Sequence, residues 1–163
     1  FRRLTWMPVT WVLYMVILWS WHLPGPYQAA LQDDVLHNVQ HLSFFASALL
    51  FWWPLINPAP RLHGHIPYGF RIVYVIAAVV PVMLPTMSIA LFARQAFYPH
   101  YETVPRLWGL TALQDQITGW VLMGTVDGLI YMIAFLLLFA RMLDYEERVT
   151  RLRETIDAKP GGT

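Results

Sequence analysis

A chain of 163 residues that is 57% hydrophobic and 13% charged, with a mean hydropathy of +0.45, carries about half the charge of a soluble domain, for which roughly 25% is usual. A net charge of +1 with arginines in short clusters excludes the basic face that nucleic acid requires, and the lack of cysteine excludes disulfides, iron–sulfur clusters and thiolate metal sites. Charge is missing from a few long windows and gathered between them, so the expected fold class is all-α, an integral membrane bundle of about four transmembrane helices.

The first window runs from about residue 4 to 23. It follows Phe1–Arg3 in the manner of a signal peptide, but the apolar run continues to Trp21 with no small-residue cleavage site, and it is read as a retained helix. The second spans about 35–56, the third 70–93 and the fourth 117–140, each near the roughly 20 residues that a 30 Å hydrocarbon core demands. Residues 1–143 thus form a transmembrane helical domain and 144–163 a polar cytoplasmic tail. In that tail DYEERVTRLRETI has helical spacing and extends the fourth helix into water, while KPGGT reads as disordered. Pro81 and Pro85 in the third window are expected to kink it, either for packing or to open room for a ligand.

Orientation follows from the basic residues. With the N-terminus inside, Arg2, Arg3, Arg61, Arg71, Arg141, Arg148, Arg151, Arg153 and Lys159 are inner, and only Arg94 and Arg106 are outer. Both termini are therefore expected to be cytoplasmic. Trp6, Trp52 and Trp53 then mark the inner interface, with Trp19, Trp21 and Trp108 at the outer one.

Most polar side chains near the windows fall in the outer layer. His22 ends the first helix, His37 and His41 open the second, and Asp115 and Gln116 precede the fourth. His37 and His41 are one helical turn apart on one face, close enough to grip a metal together or to hydrogen-bond as ordinary interfacial residues. Met83 and Met87 share a face by the same spacing and serve either as core filler or as thioether ligands. Imidazole with thioether and without thiolate suits copper, particularly Cu(I). Asp127 lies near the midplane of the fourth helix, in line with Gln116 and Met123, and should face the bundle neutral, hydrogen-bonded or paired. The His63–Gly64–His65 triplet lies in the inner loop, away from the other candidates.

The stretch WHLPGPYQAALQDDVLHNVQHLSFFASALLFWWPLI resembles the polytopic CtaG family of bacterial cytochrome c oxidase assembly factors (caa-type oxidase). The elements that carry the resemblance are Trp21–Pro24, Tyr27, Ala29–Leu31, His37, His41 and Phe51–Leu55, then Tyr98–Pro99 and LQDQITGWVLM from Leu113 to Met123. It covers about Trp19 to Leu143, with departures at Gln114, Ile117 and the TVDG segment that holds Asp127. The family has about seven helices, and this chain is similar to its C-terminal four-helix portion. The resemblance implies help in building the copper-containing part of a haem–copper oxidase, in the bacterial inner membrane.

The expected function is therefore a non-enzymatic membrane assembly factor that binds copper near its extracytoplasmic face and associates with oxidase or respiratory-supercomplex subunits and lipid. His37 and His41 are the primary metal ligands, with His22, Asp115 and Met87 secondary. One alternative is a permanent structural subunit of a respiratory oxidase, without its own metal. Another is a membrane cytochrome in which His22 and one of His37 or His41 ligate haem.

Overall fold

The computed structural model describes residues 3–56, 64, 66–105 and 108–158, apart from the side chain of Pro85. His63, His65, Arg61, Arg106, the residues before Arg3 and the KPGGT end lie outside the described residues, as does the Pro85 half of the expected kink. The elements in chain order are α1 (Met7–His22), α2 (Pro24–Gln32), α3 (Asp34–Ile56), α4 (Tyr68–Phe92), α5 (His100–Thr103) and α6 (Ala112–Asp157), with no strand among the described residues.

The helices α3, α4 and α6 are long and apolar enough to cross a membrane. At 16 residues, α1 is about 24 Å long and shorter than the expected window, because its start is set by Pro8 in the first turn. Proline is tolerated there because it removes only an amide that has no partner anyway. Even so, α1 runs the length of the bundle. Thr5, Trp6 and Met7 share one cavity wall with Phe70, Val73 and Tyr74, while His22 at the other end shares a wall with Tyr98, Gln116 and Trp120.

Two differences from the expected elements have local causes. The connection after His22 contains α2, with proline in its first turn and the helix-forming run YQAALQ behind it. It stops at Asp33, whose carboxylate accepts from the amides of Val35 (2.8 Å) and Leu36 (3.0 Å) and so caps α3. The fourth window is part of a single 46-residue helix, begun by a capping box in which Thr111 and Gln114 satisfy each other's amides. Its length of about 69 Å exceeds any hydrocarbon core, so the charged segment from Asp144 onward continues the same rod into water.

Helix α1 packs on α2, α3 and α4, and α4 packs extensively on α6. The centre is aromatic. Phe51 of α3 stacks on Tyr74 of α4 at 4.7 Å and meets Tyr131 of α6 edge-on at 6.1 Å. Thr10 of α1 lies 2.9 Å from the Tyr74 hydroxyl, which donates to the Phe51 carbonyl at 3.0 Å. These bonds tie three helices in one register where no water competes. The α4–α6 pair packs tightly at Gly124, where an added Cβ would fall 2.5 Å from Thr86 Cγ2. Leucines such as Leu84, Leu91, Leu122 and Leu136 point outward and are exposed, as suits a helix surface facing hydrocarbon.

Candidate metal centre and the adjoining tyrosine pocket

The first turns of α3 place His37 and His41 one above the other. Their Nε2 atoms are 2.9 Å apart and their ring centroids 4.7 Å apart. One nitrogen donates and the other accepts, so the pair holds a proton where a metal ion would sit. At metal–nitrogen bonds of about 2.0–2.1 Å, a 2.9 Å separation corresponds to an angle of about 90° at the metal, and opening it to about 3.4 Å gives the tetrahedral angle. A separation change of that size is within the reach of a small rotamer adjustment, so the two nitrogens could hold one ion between them. The buried side of α3 runs through Gln40, Ser47, Phe51 and Leu55; His37 lies at its edge, half-buried and in line with Leu55, and His41 lies further from it and is exposed.

His22 is in a different setting. Its Nδ1 lies 2.6 Å from the Leu18 carbonyl, which can only accept, so Nδ1 carries the proton and Nε2 a lone pair. The ring packs against Trp120 (5.4 Å) and Phe44 (5.7 Å). With Tyr27, Tyr98, Tyr101, Asp115 and Met123 it lines a cavity of about 390 Å³ whose wall includes neither His37 nor His41. Of the expected site residues, the structure thus brings together His37 with His41, and separately His22 with Asp115. Met87 is exposed on α4. No group of three or more His, Asp or Glu side chains with metal-binding spacing occurs among the described residues.

A hydrogen-bonded frame builds the cavity. Tyr27 stacks on Tyr98 at 4.0 Å and its hydroxyl lies 2.7 Å from that of Tyr101. The Tyr98 hydroxyl donates to the His22 carbonyl at 2.9 Å. Gln116 Oε1 accepts from the amides of Phe97 (2.6 Å) and Tyr98 (3.1 Å), holding the segment between α4 and α5 against the first turn of α6. Gln28 of α2 accepts from the amide of His100 in the same way at 3.2 Å. Burial, with the bond to Tyr101, pushes the Tyr27 phenol well above its usual range, and burial pushes Tyr98 up to about 12. Both stay neutral at physiological pH and act through their hydroxyls, not as phenolate ligands.

The holding role of Gln116 and the tyrosine cluster were not legible as a site. The signals were a glutamine just before an apolar window, and Tyr27, Tyr98 and Gln116 among the elements that carry the family resemblance, none of which says that these residues meet. Asp127, by contrast, is placed as expected, half-buried and within electrostatic reach of His22, Tyr14 and Tyr131. The expected hydrogen bond to a neighbouring helix is not made by its carboxyl among the described residues.

Fold and site together define, among the described residues, an all-helical bundle with three helices able to cross a membrane and a hydrogen-bonded histidine pair in the first turns of α3. The chain belongs to the family of cytochrome c oxidase caa3 assembly factors, whose pattern matches residues 1–144. No curated protein and no solved structure matches it.

Proposed function

We propose that this chain is a membrane assembly factor that holds copper, as Cu(I), on His37 and His41 and presents it to a haem–copper oxidase. The observation that carries the reading is the 2.9 Å approach of the two Nε2 atoms on an open helix face. Two imidazoles supply two nitrogen ligands, and positions not filled by this chain leave an exit for the ion, as delivery requires. When bound there, copper would be the cargo, and no reaction is assigned to the chain.

In this reading α1, α3, α4 and α6 are the four spans, with both termini cytoplasmic and the histidine end extracytoplasmic, in the inner membrane of a bacterium. Its support is the nine-to-two distribution of basic residues and the course of α1 from one cavity to the other. His22, Asp115 and Met87 are not drawn up beside the pair, so the site rests on His37 and His41. A haem held by His22 and one of the pair would need both in one cavity wall, and His22 lines its cavity without them. The rival of a metal-free structural subunit is favoured by no particular contact.

The test is copper per protein in membranes expressing each variant, alongside the activity of the partner oxidase. His37→Ala and His41→Ala should each lose most of the copper, since each removes one of two nitrogen ligands. If both variants keep full copper and full oxidase assembly, the structural-subunit reading replaces this one.

A further inference from the structure

The apolar part of α6 ends near Ala140, yet the helix continues without a break to Asp157. Eight of the fourteen residues from Asp144 to Asp157 are charged, so this extension stands in water. Along it Met142, Tyr145, Val149, Leu152 and Ile156 recur at spacings of three and four. At 100° per residue they fall within an arc of about 80°, the narrow seam of a heptad repeat.

The near end of the seam is used within the chain, because the Tyr145 ring lies 6.0 Å from Tyr68 at the start of α4. That contact anchors the extension to the bundle. The far end is open, with Leu152 63% and Ile156 69% exposed. The family match stops at residue 144, so this open seam lies outside the region that carries it.

We infer that the extension is a docking site for an amphipathic helix of another protein, with acidic residues on both sides of its apolar stripe. Spacing of 3.5 residues selects a helix as the occupant, since only a facing helix keeps such a seam in contact. The flanking charges select which helix. Arg148 and Arg153 flank the open part of the seam on either side of Val149 and Leu152, while Glu146 and Thr155 take the remaining flanking positions, and Arg148 is held along the helix by Asp144 at 3.0 Å. Two copies pairing in parallel, as neighbours in one membrane must, would set Arg148 of each against Arg153 of the other at the open far end, while Arg141 would meet Glu146 only at the near end, where Tyr145 already packs on Tyr68. A helix with Glu or Asp at those positions meets both arginines with opposite charge. Two heptads are fewer than an independent coiled coil needs, but this helix is already ordered by the bundle and binds without a folding cost. The inference does not rest on the copper reading.

The experiment uses the full chain in detergent micelles and two labelled synthetic helices of three heptads, both with Ile and Leu in the seam. One carries Glu at every flanking position, the other Lys, and binding is read as fluorescence anisotropy. The Glu helix should bind at least tenfold more tightly than the Lys helix, with the gap narrowing at high salt. Leu152→Asp with Ile156→Asp should abolish binding of both. Because that change also alters the helix itself, Arg148→Glu with Arg153→Glu is the second arm, and it should reverse the preference to the Lys helix. Equal binding of the two helices, or binding of neither, overturns the proposal. So does a disulfide-linked dimer of Leu152→Cys formed in high yield in the membrane, which would assign the seam to a second copy.

Discussion

Two imidazole settings at one end of the same bundle differ in what surrounds them. His22 is enclosed, with its Nδ1 on the Leu18 carbonyl and its ring between Phe44 and Trp120. His37 and His41 have each other and little else. An imidazole whose neighbours are all protein groups supports structure, because moving it breaks bonds that hold other segments. A pair whose main polar partner is its own twin gives up one hydrogen bond when an ion enters. Residue type alone, which pools all three histidines, cannot see this distinction.

The enclosed side should fail by unfolding. Gln116→Leu strands the buried amide of Tyr98, at about 1–3 kcal/mol for a buried orphan, and the part-buried amide of Phe97. This is the largest effect expected, read as a lower thermal midpoint in detergent and faster proteolysis between residues 93 and 99, with copper per folded protein unchanged. His22→Ala should come next, at about 1–3 kcal/mol for the lost bond and ring packing. The comparison breaks if His22→Ala removes as much copper as His37→Ala while the protein stays folded.

Away from both sites, Gly124→Ala must push Thr86 aside at the α4–α6 crossing, where Thr86 is fully buried. A cost of about 1–3 kcal/mol is expected for such overpacking, measurable as a lower midpoint, with the metal unaffected. Gly119→Ala on the same helix, where nothing lies within reach of a Cβ, is the control and should be neutral or stabilising.

Asp115→Asn sharpens the comparison at smaller scale. Asp115 borders the tyrosine pocket and not the His37–His41 pair, so copper content should change less than twofold. A larger loss would join the two settings into one site.

The smallest effect is a dependence on high pH. The Tyr98 phenol is raised in the folded chain from 10.0 to about 12, so its neutral form stabilises the fold fully below about pH 10. That contribution is lost as pH rises towards 12. Tyr98→Phe should flatten this loss in a denaturation series, while costing about 1 kcal/mol at neutral pH through the bond to the His22 carbonyl.

The helices and their type were legible in the chain itself. Long apolar windows bounded by charge leave few alternatives, and α3 and α4 begin and end within two residues of the windows predicted for them. The one-turn spacing of His37 and His41 was legible for the same reason, since helical geometry is local and fixes which side chains stack. So was the extension of α6 past the apolar window, from the helical spacing of its charged tail. The starts of α1 and α6 match their windows less closely, because Pro8 and the Thr111–Gln114 capping box set those ends and not hydropathy.

Only the tertiary structure decided which polar residues share a site. Tyr27, Tyr98, Tyr101, Gln116 and His22 come from segments as far as 94 residues apart, and nothing local to any of them specifies the rotation of its helix about the bundle axis. That rotation is set by packing elsewhere, at the Phe51–Tyr74–Tyr131 cluster and at the Gly124–Thr86 crossing. It turns His22 and Asp115 toward one cavity and leaves His37 and His41 out of its wall.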